Sequence, residues 1–326
     1  MDPIDVINGN SSYGSVATRV MEANGDVNVL RTNATLRKDE WIELDTTLVQ
    51  VAEERLVGVA DLNANGQFIT ITNGLGKTVL EYEDVSAFTP ATLSMDATSR
   101  SDGDAVKFTL NPIPLPVANK DFKLSIRQLM SSRNTGQSLD TTGVELATRQ
   151  VVEIIEENLF NGTSSLTFAE GTIFGYTDSP SRNTVSLGVD WDASAKTGEE
   201  ILADQLAMKQ ASIDDSHFGP WAQYIPTNYD TVLDDEFKSN SDKSIRQRLM
   251  ETEGINLMKV ADKLASDNVI LVQRTASVAR MINGMPMTTI EWQTEGNFVF
   301  HFKVITIQVP QMRVDQEGKS GLVHLS

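Results

Sequence analysis

The chain has 326 residues, with 27 Lys+Arg against 45 Asp+Glu and a formal charge of −18; 40% of residues are hydrophobic and 22% charged, a folded composition rather than a disordered one. So acidic a balance argues against a reader of nucleic-acid phosphates, which needs a basic face, and the absence of cysteine excludes disulfides, Cys-ligated metals and thiol nucleophiles. No stretch reaches the ~18 apolar residues of a membrane span, and MDPIDVINGNSSYGSV lacks the basic and apolar regions of a secretory signal, so an intracellular product is expected.

Residues 1–36 are rich in Asn, Ser, Thr and Gly without a sustained period and read as an extended N-terminal arm. Over 39–62, Trp41, Leu44, Leu48, Val51, Ala52, Leu56, Val59 and Leu62 recur at threes and fours, which predicts one amphipathic helix capped by Asp39 and followed by Gly66. Residues 67–112 change character. QFITIT, TVLEYEDVSA and AVKFTLN are strand-like around the polar MDATSRSDGDA, which predicts a long hairpin-like excursion. A strand of ~10 residues reaches roughly 33 Å, far enough to leave the body of its own subunit.

IPLPVANKDFKLSIRQLMSS reads as a strand leading into a short helix. The strongest helix follows, over 140–161, with Val144, Ala147, Val151, Ile154, Ile155 and Leu159 as its apolar stripe. Thr142 with Glu145 fits a capping box, Asp140 is an alternative cap, and Asn161-Gly162 is the stop. At ~20 residues it spans about 30 Å. Residues 163–197 are loop-rich. GEEILADQLAMKQASI then reads as a helix, WAQYIP as a strand, NYDTVLDDEFK as a helix capped by Asn228, SDKSIRQRLMET as a helix and VILVQ as a buried strand. From Met285 the chain turns β: MTTIEW, a Glu295-Gly296-Asn297 turn, FVFHFKVITIQVP, and a last strand at GLVHL. This order predicts an α+β fold with one discontinuous domain.

The motifs of chemistry have ordinary readings. Asn73–Thr78 (NGLGKT) ends like a phosphate loop, but Ile71 stands where the motif needs glycine and a strand follows, so it reads as a turn. Asp214, Asp215 and His217 are possible ligands of a hard or borderline metal, or a solvated loop at a helix end. His301 and His324 have no nucleophile motif nearby, Asp234-Asp235 and Asp102/Asp104 read as solvated charges, and Met281, Met285 and Met287 as core. No catalytic residue, cofactor site or metal site is assigned. The anomaly is architectural: segments 1–36 and 67–112 cost ordering entropy without internal burial, so they need cover from neighbouring copies.

At this point EWIELDTTLVQVAEERLVGVADL, IPLPVANKDFKLSIRQL, LDTTGVELATRQVVEIIEENLFNG, GPWAQYIPTNYDTVLDDEF and GLVHL, in that order, resemble the encapsulin-like branch of tailed-phage major capsid proteins, which share the Hong Kong 97 phage-type fold. The resemblance runs from about residue 37 to the C-terminus. It implies an N-arm over 1–36, a helix packed on the P-domain over 37–66, an E-loop over 67–112, a P-domain with its spine helix over 113–165, an A-domain over 166–285, and P-domain return strands over 286–326. The E-loop tip would be Ser99-Arg100-Ser101, and the loop 238–246 would face the capsomer axis. No Lys lies between Lys77 and Lys107, so the Lys–Asn isopeptide cross-link of some members is not expected.

The implied function is a non-catalytic major capsid protein that self-assembles, as pentamers and hexamers, into the icosahedral head shell of a tailed double-stranded DNA bacteriophage. The resemblance also implies portal, scaffold and decoration partners, enclosed DNA bound without sequence specificity, and assembly in the host cytoplasm with the virion as destination. Candidate assembly contacts are Val27, Val29 and Leu30 on the arm, Phe88, Leu93, Met95 and Arg100 on the E-loop, and Ser241 and Lys243 on the axial loop. The alternatives are an encapsulin-type compartment enclosing a cargo enzyme, and a metal-dependent hydrolase using Asp214, Asp215 and His217. In encapsulins the N-terminal helix begins near the first residue and forms part of a cargo pocket; here the first helix begins near Asp39, which tilts the reading to a virion.

Overall fold

The computed structural model describes residues 38–85, 91, 93, 95, 105, 108–135, 141–239, 242–294, 299–315 and 317–326. The helix expected over 39–62 is two helices, α1 (Lys38–Arg55) and α2 (Gly58–Ala64). The break has a tertiary cause. The amides of Val57, Gly58 and Val59 donate to the carboxylate of Glu156, at 3.1, 2.6 and 3.3 Å, instead of continuing the helical ladder from α1. After α2, Gly66 turns the chain with φ +70°, and strand β1 (Phe68–Thr70) begins.

β1 runs parallel to β11 (Ala279–Thr294), so this piece of the expected excursion belongs to the body sheet. That sheet has the order β1-β11-β12-β4, with β12 (Val299–Met312) and β4 (Ala118–Ser125) antiparallel to their neighbours. The NGLGKT segment is a turn: Asn73 adopts φ 59°, and its side-chain oxygen accepts from the Gly76 amide at 3.2 Å. Gly74 lies against the next strand so closely that a Cβ there would sit 2.1 Å from the Gly284 carbonyl oxygen. The excursion itself is the antiparallel hairpin of β2 (Val79–Val85) and β3 (Phe108–Pro114).

β4 leads into α3 (Ile126–Thr135), and the spine helix α4 (Thr142–Asn161) follows, ending at Gly162 with φ 69°. Its N-cap is Thr141, whose hydroxyl donates to Glu145, so the box expected at Thr142 does not form. Val144, Ala147, Val151, Ile155 and Leu159 are buried as expected, but Ile154 is 51% exposed. At 100° per residue, Ile155 lies about 20° from Val144 around the helix and Ile154 about 80°. Only the former faces the core.

The hairpin of β5 (Thr163–Phe168) and β6 (Gly171–Ile173) and strand β7 (Asn183–Val185) then lead to α5 (Gly198–Asp214). A capping box between Thr197 and Glu200 starts α5. β8 (Trp221–Ile225) follows, but NYDTVLDDEFK is not an α-helix: it forms two 3-10 turns, Thr227–Tyr229 and Val232–Asp234. Arg246 brackets these turns, donating to Asp234 at 2.9 Å and to the Asp230 carboxylate at 2.6 Å, while Tyr229 and Leu233 are buried. Asn228, expected as a cap, donates to Asp267 at 2.9 Å. α6 (Ile245–Met250), boxed by Ser244 and Gln247, precedes β9 (Ile255–Val260) and β10 (Val269–Gln273).

The second sheet has the order β7-β13-β10-β8-β9, where β13 is Leu322–Leu325. β12 returns to the body sheet, while β13 inserts between β10 and β7 of the second sheet. All four residues of β13 are buried, a requirement met only inside a sheet covered on both faces.

Among the described residues three apolar cores hold these layers. On β12, Phe300, Phe302 and Val304 join α1, α2 and α4 in the first core, whereas Ile305, Ile307 and Val309 face Ile113, Leu115, Leu80 and Tyr82 at the hairpin base in another. This is the period of two along one strand, with both faces buried. The remaining core packs Ile201 and Met208 of α5 on Leu271, Val323 and Leu325 of the second sheet. Between sheets, Asp61 of α2 pairs with Arg274 at 2.5 Å and accepts from the Tyr224 hydroxyl at 2.9 Å; Tyr224 in turn stacks on Tyr176, and Phe160 meets both rings edge-on. With Asp61 only 5% exposed, removing Arg274 strands a buried charge, a cost of about 3–5 kcal/mol.

Candidate assembly surfaces

Of the residues singled out from the sequence, Val27, Val29, Leu30, Phe88, Arg100 and Ser241 lie outside the described residues. Leu93 and Met95 are described and fully exposed. Closer to the body, the hairpin carries two apolar side chains that sequence reasoning missed: Phe108 is 62% exposed and Leu110 59%. β3 is exposed at its outer end and buried at its base, because only the base lies on the body sheet. The strand signal in KFTLN was legible, but exposure depends on how far the strand projects.

Other large apolar groups are uncovered elsewhere. Ile42 and Val49, seven residues apart on α1, share one outward face, and Leu146 and Ile154 on α4, Phe168 on β5 and Phe218 are exposed too. Single exposed apolar residues are ordinary; Phe108 and Leu110 stand together on one projecting strand. Lys243 does not stand free. Its ammonium pairs with Glu251, the Lys243 carbonyl accepts from the Phe237 amide, and Glu236 bridges Ser244, so the loop 235–244 is closed at its base. Lys238 pairs similarly with Glu199 at 2.8 Å. Exposed pairs of this kind contribute little to stability, about 0–1 kcal/mol.

The residues considered for chemistry are dispersed. Asp214 accepts from Gln210 at 2.7 Å, Asp215 from Asn183 at 2.6 Å, and His217 Nδ1 lies 2.6 Å from Gln273 Oε1. Each has its own partner, and among the described residues the three are not grouped as ligands of one metal ion. Asp190, Asp192 and Asp267 do converge, with ligand atoms within 4.8 Å, but Asn228 already donates to both Asp192 and Asp267. His301 stacks on Trp292 with ring centroids 5.3 Å apart. His324 accepts from Arg182 at Nδ1 and faces Asn268 at 2.6 Å through Nε2; burial first, and then the Arg182 charge, lower its pKa to about 4. Of the methionines expected in the core, Met281 and Met285 are buried and Met287 packs against the first core. Among the described residues no helix is long and apolar enough to cross a membrane.

A hairpin projecting from a body sheet, a long spine helix and a second sheet that receives the C-terminal strand together form the Hong Kong 97-type shell-protein fold. The solved structures agree. A virus-like particle from Pyrococcus furiosus matches with a TM-score of 0.63 at 19% identity, covering 88% of this chain and 99% of that one. The capsid of Myoviridae phage XM1 matches with a TM-score of 0.63 at 13% identity, over 83% and 92%. In sequence, the chain is 26% identical over 237 residues to a type 1 encapsulin shell protein of Myxococcus xanthus, covering 72% of this chain and 71% of that protein. Residues 30–325 match the model of a family described as a family of unknown function, DUF6260, and the chain belongs to that family. The α+β fold and the encapsulin-like resemblance read from the sequence both hold.

Proposed function

We propose that this protein is the structural, non-catalytic subunit of a closed icosahedral shell, and that the shell is the head of a tailed double-stranded DNA bacteriophage. The observation that carries the shell reading is the hairpin β2–β3, which takes Phe108 and Leu110 away from the body of its own subunit and leaves them uncovered. Adjacent copies supply the cover, in interfaces of the obligate kind that bury ~2,000–5,000 Å², and many such contacts acting together hold the wall without cross-links. The division into N-arm, E-loop, P-domain and A-domain by the residue ranges given above belongs to this reading, as do Leu93, Met95 and the arm residues Val27, Val29 and Leu30 as anchors. The excess of acidic residues suits a container that must not adhere to its own DNA.

The phage-head reading is supported by the fold shared with the capsid of Myoviridae phage XM1. A second reading, an encapsulin-type compartment, is favoured by the identity to the Myxococcus xanthus shell protein and by an apolar groove of about 290 Å³ along α1, lined by Leu48, Leu56, Val59, Phe68 and Met287. Negative-stain microscopy and sedimentation of the purified full chain test the shell. Closed particles are expected; a monodisperse small oligomer overturns it. The contents then decide between the two readings: DNA packaged in the native particle supports the phage head, a co-purifying enzyme the compartment.

A further inference from the structure

Three strands of the second sheet release their loops at one end of it. β7 runs parallel to β13 and β8 to β9, while β10 is antiparallel to both β13 and β8, so β7, β8 and β9 point the same way. The loop after β7 carries Asp190 and Asp192, the turn after β8 carries Asn228 and Tyr229, and the connection after β9 carries Asp267. The carboxyl ends of parallel strands are where α/β sheets hold their ligands.

Local chemistry sets these groups in place. Trp191 is buried, stacks on Tyr229 with ring centroids 5.3 Å apart, and donates from Nε1 to Asp204 at 2.9 Å. Its two neighbours, Asp190 and Asp192, are left exposed on either side of the anchored ring. Asp267 adopts φ 65°, a left-handed conformation that Asp and Asn accept more readily than most residues. One carboxylate oxygen from each of Asp190, Asp192 and Asp267 lies within 4.8 Å of the others. Among the described residues none of the three is in an ion pair; Lys196, on the same loop, pairs with Asp204 at 2.8 Å. Asn228 donates to Asp192 and Asp267, but a neutral amide offsets little of the repulsion among three like charges.

A second observation points into the same place. Tyr229 is fully buried, yet its hydroxyl makes no hydrogen bond of ordinary geometry. That hydroxyl faces the carboxylates: burial raises its pKa most, against the Trp191 backbone, and Asp267 and Asp190 raise it further. Buried polar groups in folded proteins are nearly always satisfied. The converging ligands are all carboxylate oxygens, without ring nitrogen or sulfur, which suits a hard cation. Calcium accepts the irregular geometry of loop ligands, and twice its bond of ~2.3–2.6 Å is about 5 Å, so one ion can touch all three carboxylates.

We infer that Asp190, Asp192 and Asp267 form a calcium site that ties together the loops following β7, β8 and β9. Water completes the coordination shell and supplies the Tyr229 hydroxyl with its partner. The site does not depend on whether the shell is a phage head or a compartment.

The test uses the full-length protein. Terbium, a calcium substitute whose luminescence is excited through a nearby indole, is titrated in and then displaced with calcium, against a sodium chloride control of equal ionic strength. Saturable luminescence is expected, reversed by calcium and largely lost in Trp191→Phe. Calorimetry with calcium alone then gives the affinity, which Asp190→Asn and Asp267→Asn are each expected to weaken roughly tenfold or more. Both variants fold: Asp190 is exposed, and Asn at 267 accepts the same backbone and keeps the oxygen that Asn228 donates to. The inference is overturned if calcium gives no saturable heat, or if terbium luminescence survives Trp191→Phe at full strength. It is overturned equally if the calcium affinity is unchanged in both Asn variants, which places binding elsewhere on this acidic chain.

Discussion

Gly58 and Glu156 meet where two helices cross: the Gly58 amide donates to Glu156 Oε1 at 2.6 Å, and a Cβ at Gly58 would lie 2.8 Å from Leu159 Cδ2, one helical turn from that carboxylate. Leu159 and Phe160 are fully buried and have no room to withdraw. The absence of a side chain at 58 is what allows α2 to sit on the spine helix, and the carboxylate opposite replaces the helical bonds given up at the break.

Glu156→Leu removes the acceptor and strands the buried amides of Gly58 and Val59, so it is expected to cost about 2–6 kcal/mol, at about 1–3 kcal/mol per buried donor. The pH dependence is a separate readout. Burial outweighs the three amide bonds and raises the Glu156 pKa from 4.5 to about 7. The folded state therefore holds a proton that the unfolded chain releases, and this contribution to stability, full below pH 4.5, is lost as pH rises through 7. Glu156→Gln lacks that titration. Melting temperatures at pH 5 and pH 8 are expected to show the wild type losing ground to Glu156→Gln at the higher pH; a constant difference contradicts this.

The spine helix permits a paired test on adjacent residues. Ile155→Asp places an unpaired carboxylate in the first core and is expected to abolish soluble expression. Ile154→Asp, on the exposed side of the same turn, is expected to fold with a melting temperature within a few degrees of wild type. Circular dichroism of both variants is the measurement.

His324 works in the opposite direction to Glu156. Its Nδ1 accepts from Arg182, so protonation would set two donors face to face. With the pKa depressed from 6.5 to about 4, the unfolded chain takes up a proton before the folded one does, and stability is lost as pH falls from 6.5 through 4. His324→Gln is expected to flatten that acid limb of the stability profile, as followed by thermal denaturation between pH 7 and pH 4.

At the hairpin, Phe108→Asp with Leu110→Asp is expected to leave a folded subunit, since both side chains are exposed, while reducing particle yield by an order of magnitude or more in sedimentation profiles. Removing residues 1–36 is expected to have the same signature. Raising salt from near zero to moderate concentration should speed assembly by screening repulsion between acidic subunits beyond a Debye length of ~8–10 Å; light scattering reads the rate.

Local order was largely legible in the amino-acid sequence. The three-and-four spacing from Val144 to Leu159, the alternation of FVFHFKVITIQVP and the buried run VILVQ each became the element their period implies, because a side chain's face on a helix or strand is determined by its own backbone. Capping chemistry was equally local at Thr197–Glu200 and Ser244–Gln247. What the tertiary structure alone decided was every feature that needs a distant partner. The break ahead of Gly58 depends on a carboxylate 98 positions away, the 3-10 turns at 227–234 depend on Arg246, the place of β13 depends on β7 and β10 on either side of it, and the bond from Arg280 to Gln311 depends on the pairing of β11 with β12. Periodicity records which face is apolar. Which distant group meets that face, and which polar atoms are left over when it does, follows only once the chain has closed on itself.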